Sequence, residues 1–285
     1  MERFAVPEVL AEEMCDRLGV AVPTSMAGVG DLYRAWSAAV PFDCLNKALA
    51  RREGTLPPGG DPVAFCETWL ATSLGGTCWG HVSALGAVLQ AGGINCRVGL
   101  DHLLDTDEVD FHAFLVVEDG DRRWMVDVIH GSGEPLLLEA GSVGVHPAYP
   151  ARIDADEGRL LHRYTTMYDG RADVRRYAIV STDVDAAGLR TFCEVSRHFG
   201  MTARSIYSRR FTATEMIDGR PNEDGSALVV RHLGADGPST EEYRDPDEAF
   251  AALGYGPEAA AMAERAGLIE HSGSGIVRFV PRVPK

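Results

Sequence analysis

Apolar positions in the first seventy residues recur at intervals of three and four. Leu10, Met14 and Leu18 form one such series, with Pro7 placed for a first helical turn. A second series begins at Asp31-Leu32-Tyr33-Arg34-Ala35-Trp36, with Asp31 as its expected cap. Residues 54–61 are rich in Gly and Pro and predict a loop, and residues 62–71 predict another helix. Val82, Leu85 and Leu89 then share one face of a helix that stops at Gly92-Gly93.

The period changes after residue 93. Ile94 to Leu100 predicts a strand, and residues 101–110 an acidic loop. Short strands follow at 111–117, 123–128, 136–138, 152–156, 163–168 and 175–180, which predicts a small antiparallel sheet or barrel. Residues 185–199 show a helical pattern through Leu189, Phe192 and Val195, and 226–232 reads as a strand. Asp245-Pro246 opens a helix as cap and N1, 257–266 predicts another, and 276–280 a last strand. The expected fold class is α+β. A helical bundle (1–93) ends in the Cys78 helix, a central antiparallel sheet or barrel (94–180) follows, and an α/β lid (181–285) closes the chain.

Candidate chemistry concentrates between Leu74 and Gly131. Gly75-Gly76-Thr77-Cys78 puts a thiol at the first position of a helix, with Thr77 as cap. The positive end of the helix dipole favours a thiolate there. Further on, Asp119-Gly120 predicts a two-residue hairpin turn. That register sets His112 directly opposite Asp127, within reach across the ladder. A capped Cys and an Asp-oriented His form a Cys-His-Asp triad, with a cysteine-protease-like arrangement of nucleophile, base and orienting acid.

The chain has 285 residues, enough for two or three packed subdomains. Its formal net charge of -15 disfavours nucleic acid and anionic membrane surfaces as partners. No signal-like start and no membrane-length apolar run are visible, which predicts a cytoplasmic protein. Its six cysteines are then expected reduced, and no Cys-x-x-Cys pair suggests a metal.

Gly75-Gly76-Thr77-Cys78, Phe111-His112-Ala113-Phe114-Leu115-Val116-Val117-Glu118 and Val126-Asp127-Val128, in this order and spacing, resemble the arylamine N-acetyltransferase family. Val40-Pro41-Phe42-Asp43-Cys44-Leu45-Asn46 resembles that family's Pro-Phe-Glu-Asn-Leu segment. Pro135-Leu136-Leu137-Leu138 and Asp218-Gly219-Arg220 are similar to later family segments. The resemblance implies an acyltransferase with Cys78, His112 and Asp127 as catalytic residues. It implies no permanently bound cofactor and no metal, with acetyl-coenzyme A or another acyl thioester as co-substrate and a small-molecule amine as acceptor. Phe42, Trp79 and His130 are the expected substrate-binding residues; core packing for Phe42 and a solvent-exposed turn position for His130 are the competing readings.

The chain departs from the family pattern at Leu74 (usually Arg), at Gly80 and Val82 (usually Glu and Asn), and at Ile129-His130-Gly131 (usually Gly-aromatic-Gly). These changes predict a remodelled donor pocket, of the kind found in amide synthases that take bulkier acyl groups from coenzyme A or a carrier protein. A transglutaminase-like enzyme or cysteine hydrolase, and a binding protein that keeps only the fold, are the alternatives. His81 is expected to support structure or line the pocket, and His102 to sit in the acidic loop.

Overall fold

The computed structural model describes residues 5–55, 60–104, 111–147, 150–168, 171–184, 187–189, 191, 204–271 and 277–281. Five helices lie in the N-terminal part: α1 (Glu8–Leu18), α2 (Met26–Ala39), α3 (Leu45–Glu53), α4 (Pro62–Thr72) and α5 (Cys78–Ala91). Their ends follow local chemistry. Asp61 accepts from the Val63 and Ala64 N–H groups ahead of α4, with Pro62 at its start. Ser25, not Asp31, caps α2, by accepting from Gly28 N–H. Asp31 lies inside that helix and pairs with Arg34 at 2.6 Å. The apolar face of α2 begins with Val29, one turn before the predicted start, and this sets the earlier boundary.

Seven strands form an antiparallel sheet in the order β5-β4-β3-β2-β8-β7-β6. They are β2 (Cys96–Leu103), β3 (Phe111–Asp119), β4 (Arg122–Val126), β5 (Leu136–Leu137), β6 (Ala151–Asp156), β7 (Arg159–Tyr168) and β8 (Arg171–Val184). The segment after β5 hydrogen-bonds back to β6 through Gly141, Ser142 and Gly144, so the sheet nearly closes on itself. A second antiparallel sheet runs β1-β9-β10-β11-β12, from β1 (Phe42–Asp43), β9 (Ser208–Phe211), β10 (Glu215–Pro221), β11 (Leu228–Gly234) and β12 (Gly237–Tyr243). Helices α6 (Pro246–Ala252) and α7 (Ala259–Arg265) follow, with a separate two-stranded sheet of β13 (Ile269–His271) and β14 (Val277–Phe279). Asp245 caps α6 as expected. The helix expected over 185–199 lies outside the described residues except at 187–189 and 191.

Side chains alternate across the strands, and the two faces of β2 and β3 serve different cores. Val98, Leu100, Ala113, Leu115 and Val117 pack against the N-terminal helices. Leu103, Phe114 and Val116 face the interior of the curved sheet, with Tyr164 and Tyr177. Helix α5 is buried from Cys78 to Leu89, so its N-terminus is fixed from all sides. The strand predicted at 94–100 is β2, shifted to 96–103. Asp101 and His102 therefore lie in a strand and not in the acidic loop.

Candidate active site

Helix α5 begins at Cys78, with Thr77 in extended backbone as its N-cap. The Thr77 side chain makes no capping bond; its carbonyl accepts from Gly80 and His81 instead. The preceding loop is pinned from β1 and α3. Asp43 accepts from Gly75 N–H at 2.7 Å, Asp43 N–H donates to the Gly76 carbonyl, and Asn46 donates to the Gly75 carbonyl. A Cβ at Gly75 would lie 1.8 Å from the Pro41 carbonyl oxygen, so only glycine allows this approach. Asp43 is fully buried, and burial pushes its carboxyl up to about 7 despite the Gly75 and Leu45 N–H groups.

The β3–β4 hairpin turns one residue later than predicted. Asp119 pairs with Arg122 and Leu115 with Val126, so the turn is Gly120-Asp121. His112 is therefore not directly opposite Asp127, which lies just beyond the end of β4. Moving a two-residue turn by one position shifts the pairing by two and keeps the face of every side chain. His112 and Asp127 still meet, as diagonal neighbours at the end of the ladder: His112 Nε2 lies 2.9 Å from Asp127 Oδ2. This leaves Nδ1 for the Cys78 thiol, whose interaction with the ring helps to raise His112.

Asp127 is held from several directions. Its Oδ1 accepts from the Ile129 and His130 N–H groups, and His130 Nδ1 lies 3.0 Å from the same Oδ2 that His112 contacts. Tyr33 of α2 donates to the Asp127 carbonyl and accepts from Ser132 N–H, which fastens the turn to the helices. Sequence reading missed Tyr33, since its partners are far along the chain. His130 is buried, stacked on Tyr164 at 4.1 Å, and is not the exposed turn residue of the competing reading.

The electrostatics separate the histidines. Burial pushes His112 down, but the Asp127 charge and hydrogen bond, the Cys78 bond and the Asp101 charge outweigh it and hold His112 well above the usual imidazole range. Burial pushes Asp127 up, and the two histidines outweigh this and hold it well below the carboxylate range. His130 is lowered to about 3, by burial first and the His112 charge second. The donor atoms of His112, Asp127 and His130 lie within 4.8 Å of one another, a spacing that suits a metal ion. They are already hydrogen-bonded through Asp127 Oδ2, so the cluster reads as proton-sharing.

The remaining expected residues take distinct places. Phe42 on β1 is half-buried, bridges to Gly76 and meets Tyr207 edge-on at 5.7 Å. Trp79 is buried in the helical core. His81 takes the structural alternative: its Nδ1 accepts from Trp36 and its Nε2 lies 3.1 Å from the Pro41 carbonyl, with burial lowering it to about 4. His102 lies on β2 beside Phe111. A cavity of about 350 Å³ lies along the turn after Asp127, between Tyr33, Gly131 and Phe211. A Cβ at Gly131 would enter the Phe211 ring, so this glycine sets how closely the two sheets approach. Cys15, Cys44, Cys66 and Cys96 are free and buried like Cys78; burial pushes Cys15 up to about 11 and the other three up to about 12.

No protein-family model and no curated protein sequence matches the chain. Its fold is that of solved arylamine N-acetyltransferases. The enzyme from Mycobacterium abscessus superposes with a TM-score of 0.70 at 17% identity, over 90% of this chain and 94% of that one. The M. marinum enzyme in complex with CoA gives 0.68 at 18% identity, over 88% and 96%. The M. tuberculosis enzyme gives 0.67 at 19%, over 88% and 90%. No described helix is long and apolar enough to cross a membrane.

Proposed function

We propose that this chain, built on the arylamine N-acetyltransferase fold, is an N-acyltransferase that moves an acyl group from a thioester to an amine through Cys78. The observation that carries the reading is His112 placed between Cys78, the first residue of the buried N-terminal part of α5, and Asp127, whose Oδ2 lies 2.9 Å from the ring. The M. marinum structure binds CoA in the same fold, which supports a coenzyme A thioester as donor.

In this reading His112 rests as the imidazolium, and both it and the helix N-terminus favour the Cys78 thiolate. The thiolate attacks the thioester carbonyl. The Cys78 N–H, in the first helical turn where the helix itself offers no partner, faces the developing oxyanion. Collapse expels the donor thiolate, which takes the His112 proton. An amine then attacks the acyl-Cys78 carbonyl, neutral His112 accepts the amine proton, and Cys78 leaves as thiolate with the amide formed. Asp127 holds the His112 tautomer and balances the imidazolium.

His130, where the family has an aromatic residue, makes a 3.0 Å hydrogen bond through Nδ1 to Asp127 that a phenyl ring cannot make. Together with Leu74, Gly80, Val82 and the Ile129-His130-Gly131 turn, where the chain departs from the family pattern, it motivates the proposal of a remodelled pocket and a donor larger than acetyl, on coenzyme A or a carrier protein. The test is steady-state kinetics with a panel of acetyl, longer acyl and aryl thioesters and an aromatic amine. Parallel double-reciprocal lines, with one donor class preferred, are expected. Amide-bond cleavage or glutamine cross-linking without thioester turnover would instead establish the hydrolase or transglutaminase-like alternative.

A further inference from the structure

We propose that Asp101, held by His162, is a second counter-ion for the His112 imidazole and so a positioning residue of the proposed acyl-transfer site. The inference rests on the Cys78–His112–Asp127 reading.

The strand order creates the arrangement. Asp101 on β2 is the direct cross-strand partner of His112 on β3. On its other side Asp101 pairs with Ile179 of β8, and His162 of β7 pairs with Tyr177 of β8. Alternation then puts His112, Asp101, Tyr177 and His162 on the interior face of four adjacent strands. His162 Nδ1 lies 3.4 Å from Asp101 Oδ2 and 4.0 Å from Asp127 Oδ2. Two carboxylates and three imidazoles thus share one buried space.

Asp101 is fully buried and His162 is 1% exposed. Neither Asp101 oxygen nor His162 Nδ1 has a well-formed hydrogen bond among the described residues. A buried carboxylate whose closest polar side chain among the described residues is a histidine nitrogen 3.4 Å away gains little for the fold, since an apolar residue would pack there without desolvation cost. Its placement opposite His112 gives the charge a use.

The groups facing His112 come from every surrounding element. Cys78 and His81 lie on α5, Asp127 and His130 in the turn after β4, Tyr177 on β8, and His162 and Tyr164 on β7; Tyr33 of α2 reaches the Asp127 backbone. Asp127 and Asp101 are the two acids in this set. Asp127 bonds to the ring, and Asp101 acts across the ladder. Burial raises the Asp101 carboxyl, while His162 and the His112 charge oppose that rise, so the three groups are mutually dependent.

The experiment is side-chain NMR titration of the full-length protein, reading His112, together with the iodoacetamide rate at Cys78. Asp101→Asn keeps the side-chain size and removes the charge. The expected result is a His112 midpoint lower by about one pH unit or more, with Cys78 alkylation near neutral pH slowed about tenfold. A purely structural role would lower the melting temperature and leave the midpoint in place, and that result overturns the proposal. His162→Gln is the second variant. Without His162 the buried Asp101 takes up a proton, so the His112 midpoint falls in the same direction; an unchanged or raised midpoint overturns the proposal even if Asp101→Asn does not fold. If Cys78 in the unaltered protein reacts no faster than the other thiols, the acyl-transfer reading fails instead, and the His112 titration distinguishes the two failures.

Discussion

Gly75→Ala tests whether the loop before Cys78 is held by steric fit. The added Cβ would lie 1.8 Å from the Pro41 carbonyl oxygen and 2.9 Å from its carbon. Both are backbone atoms, so no side chain can swing away. Reaching even 3.0 Å from the oxygen requires a displacement of about 1.2 Å, in a loop that Asp43 and Asn46 hold by three hydrogen bonds. Overpacking of this kind costs about 1–3 kcal/mol. Because Cys78 follows three residues later, the shift reaches the thiol, and misplacement by about 1 Å lowers the rate about 100-fold. Gly92→Ala is the control. Its Cβ would lie 1.9 Å from the Pro23 carbonyl oxygen, the same insult at the opposite end of α5. Thermal melting and the rate of Cys78 acylation by a thioester are measured on both variants. Both should lose stability, and only Gly75→Ala should lose the rate. Equal rate losses, or a Gly75→Ala protein acylated at the unaltered rate, would refute the reasoning.

Other expectations follow from the same geometry. Cys78→Ala should abolish transfer with no more than a small change in melting temperature; substantial turnover by the folded variant would remove Cys78 from the mechanism. Asp127→Asn should cost about 10⁴ in turnover by presenting the wrong His112 tautomer, and His112→Ala should be more damaging than His102→Ala. Iodoacetamide at neutral pH should label Cys78 before Cys15, Cys44, Cys66 and Cys96, whose protons burial holds tightly; peptide mapping identifies the site. His81 is lowered to about 4 in the folded chain against an ordinary value near 6.5, so between these values the unfolded chain binds more protons. Stability is lost as pH falls through that window, by up to about 3 kcal/mol, and denaturant midpoints of His81→Gln should fall less over it than those of the unaltered chain.

What the sequence made legible was local. Cys78 was readable because a cap, two glycines and an apolar helical face are neighbours in the chain. His112 and Asp127 were readable through one hairpin, and the turn error did no harm because it conserved the face of each strand. Asp101 and His162 reach the same space only through the order β3-β2-β8-β7, which brings together residues 61 positions apart. No short-range pattern encodes that order. Strands β9, β10 and β12 escaped the reading for a related reason: β12 is exposed along most of its length, and β10 buries Asp218, so neither shows the alternation expected of a half-buried strand. His130 resembled a turn residue because its burial comes from Tyr164 and Tyr177, again supplied by distant strands.

The central claim is a covalent acyl-Cys78 intermediate, and intact-mass measurement tests it most directly. Protein mixed with acetyl, longer acyl or aryl thioesters in the absence of amine should gain the mass of one acyl group. The Cys78→Ala protein should gain none, and adding an aromatic amine should return the adduct to the starting mass with release of the amide. An unmodified mass with every thioester, or an adduct that persists in Cys78→Ala, would contradict the account.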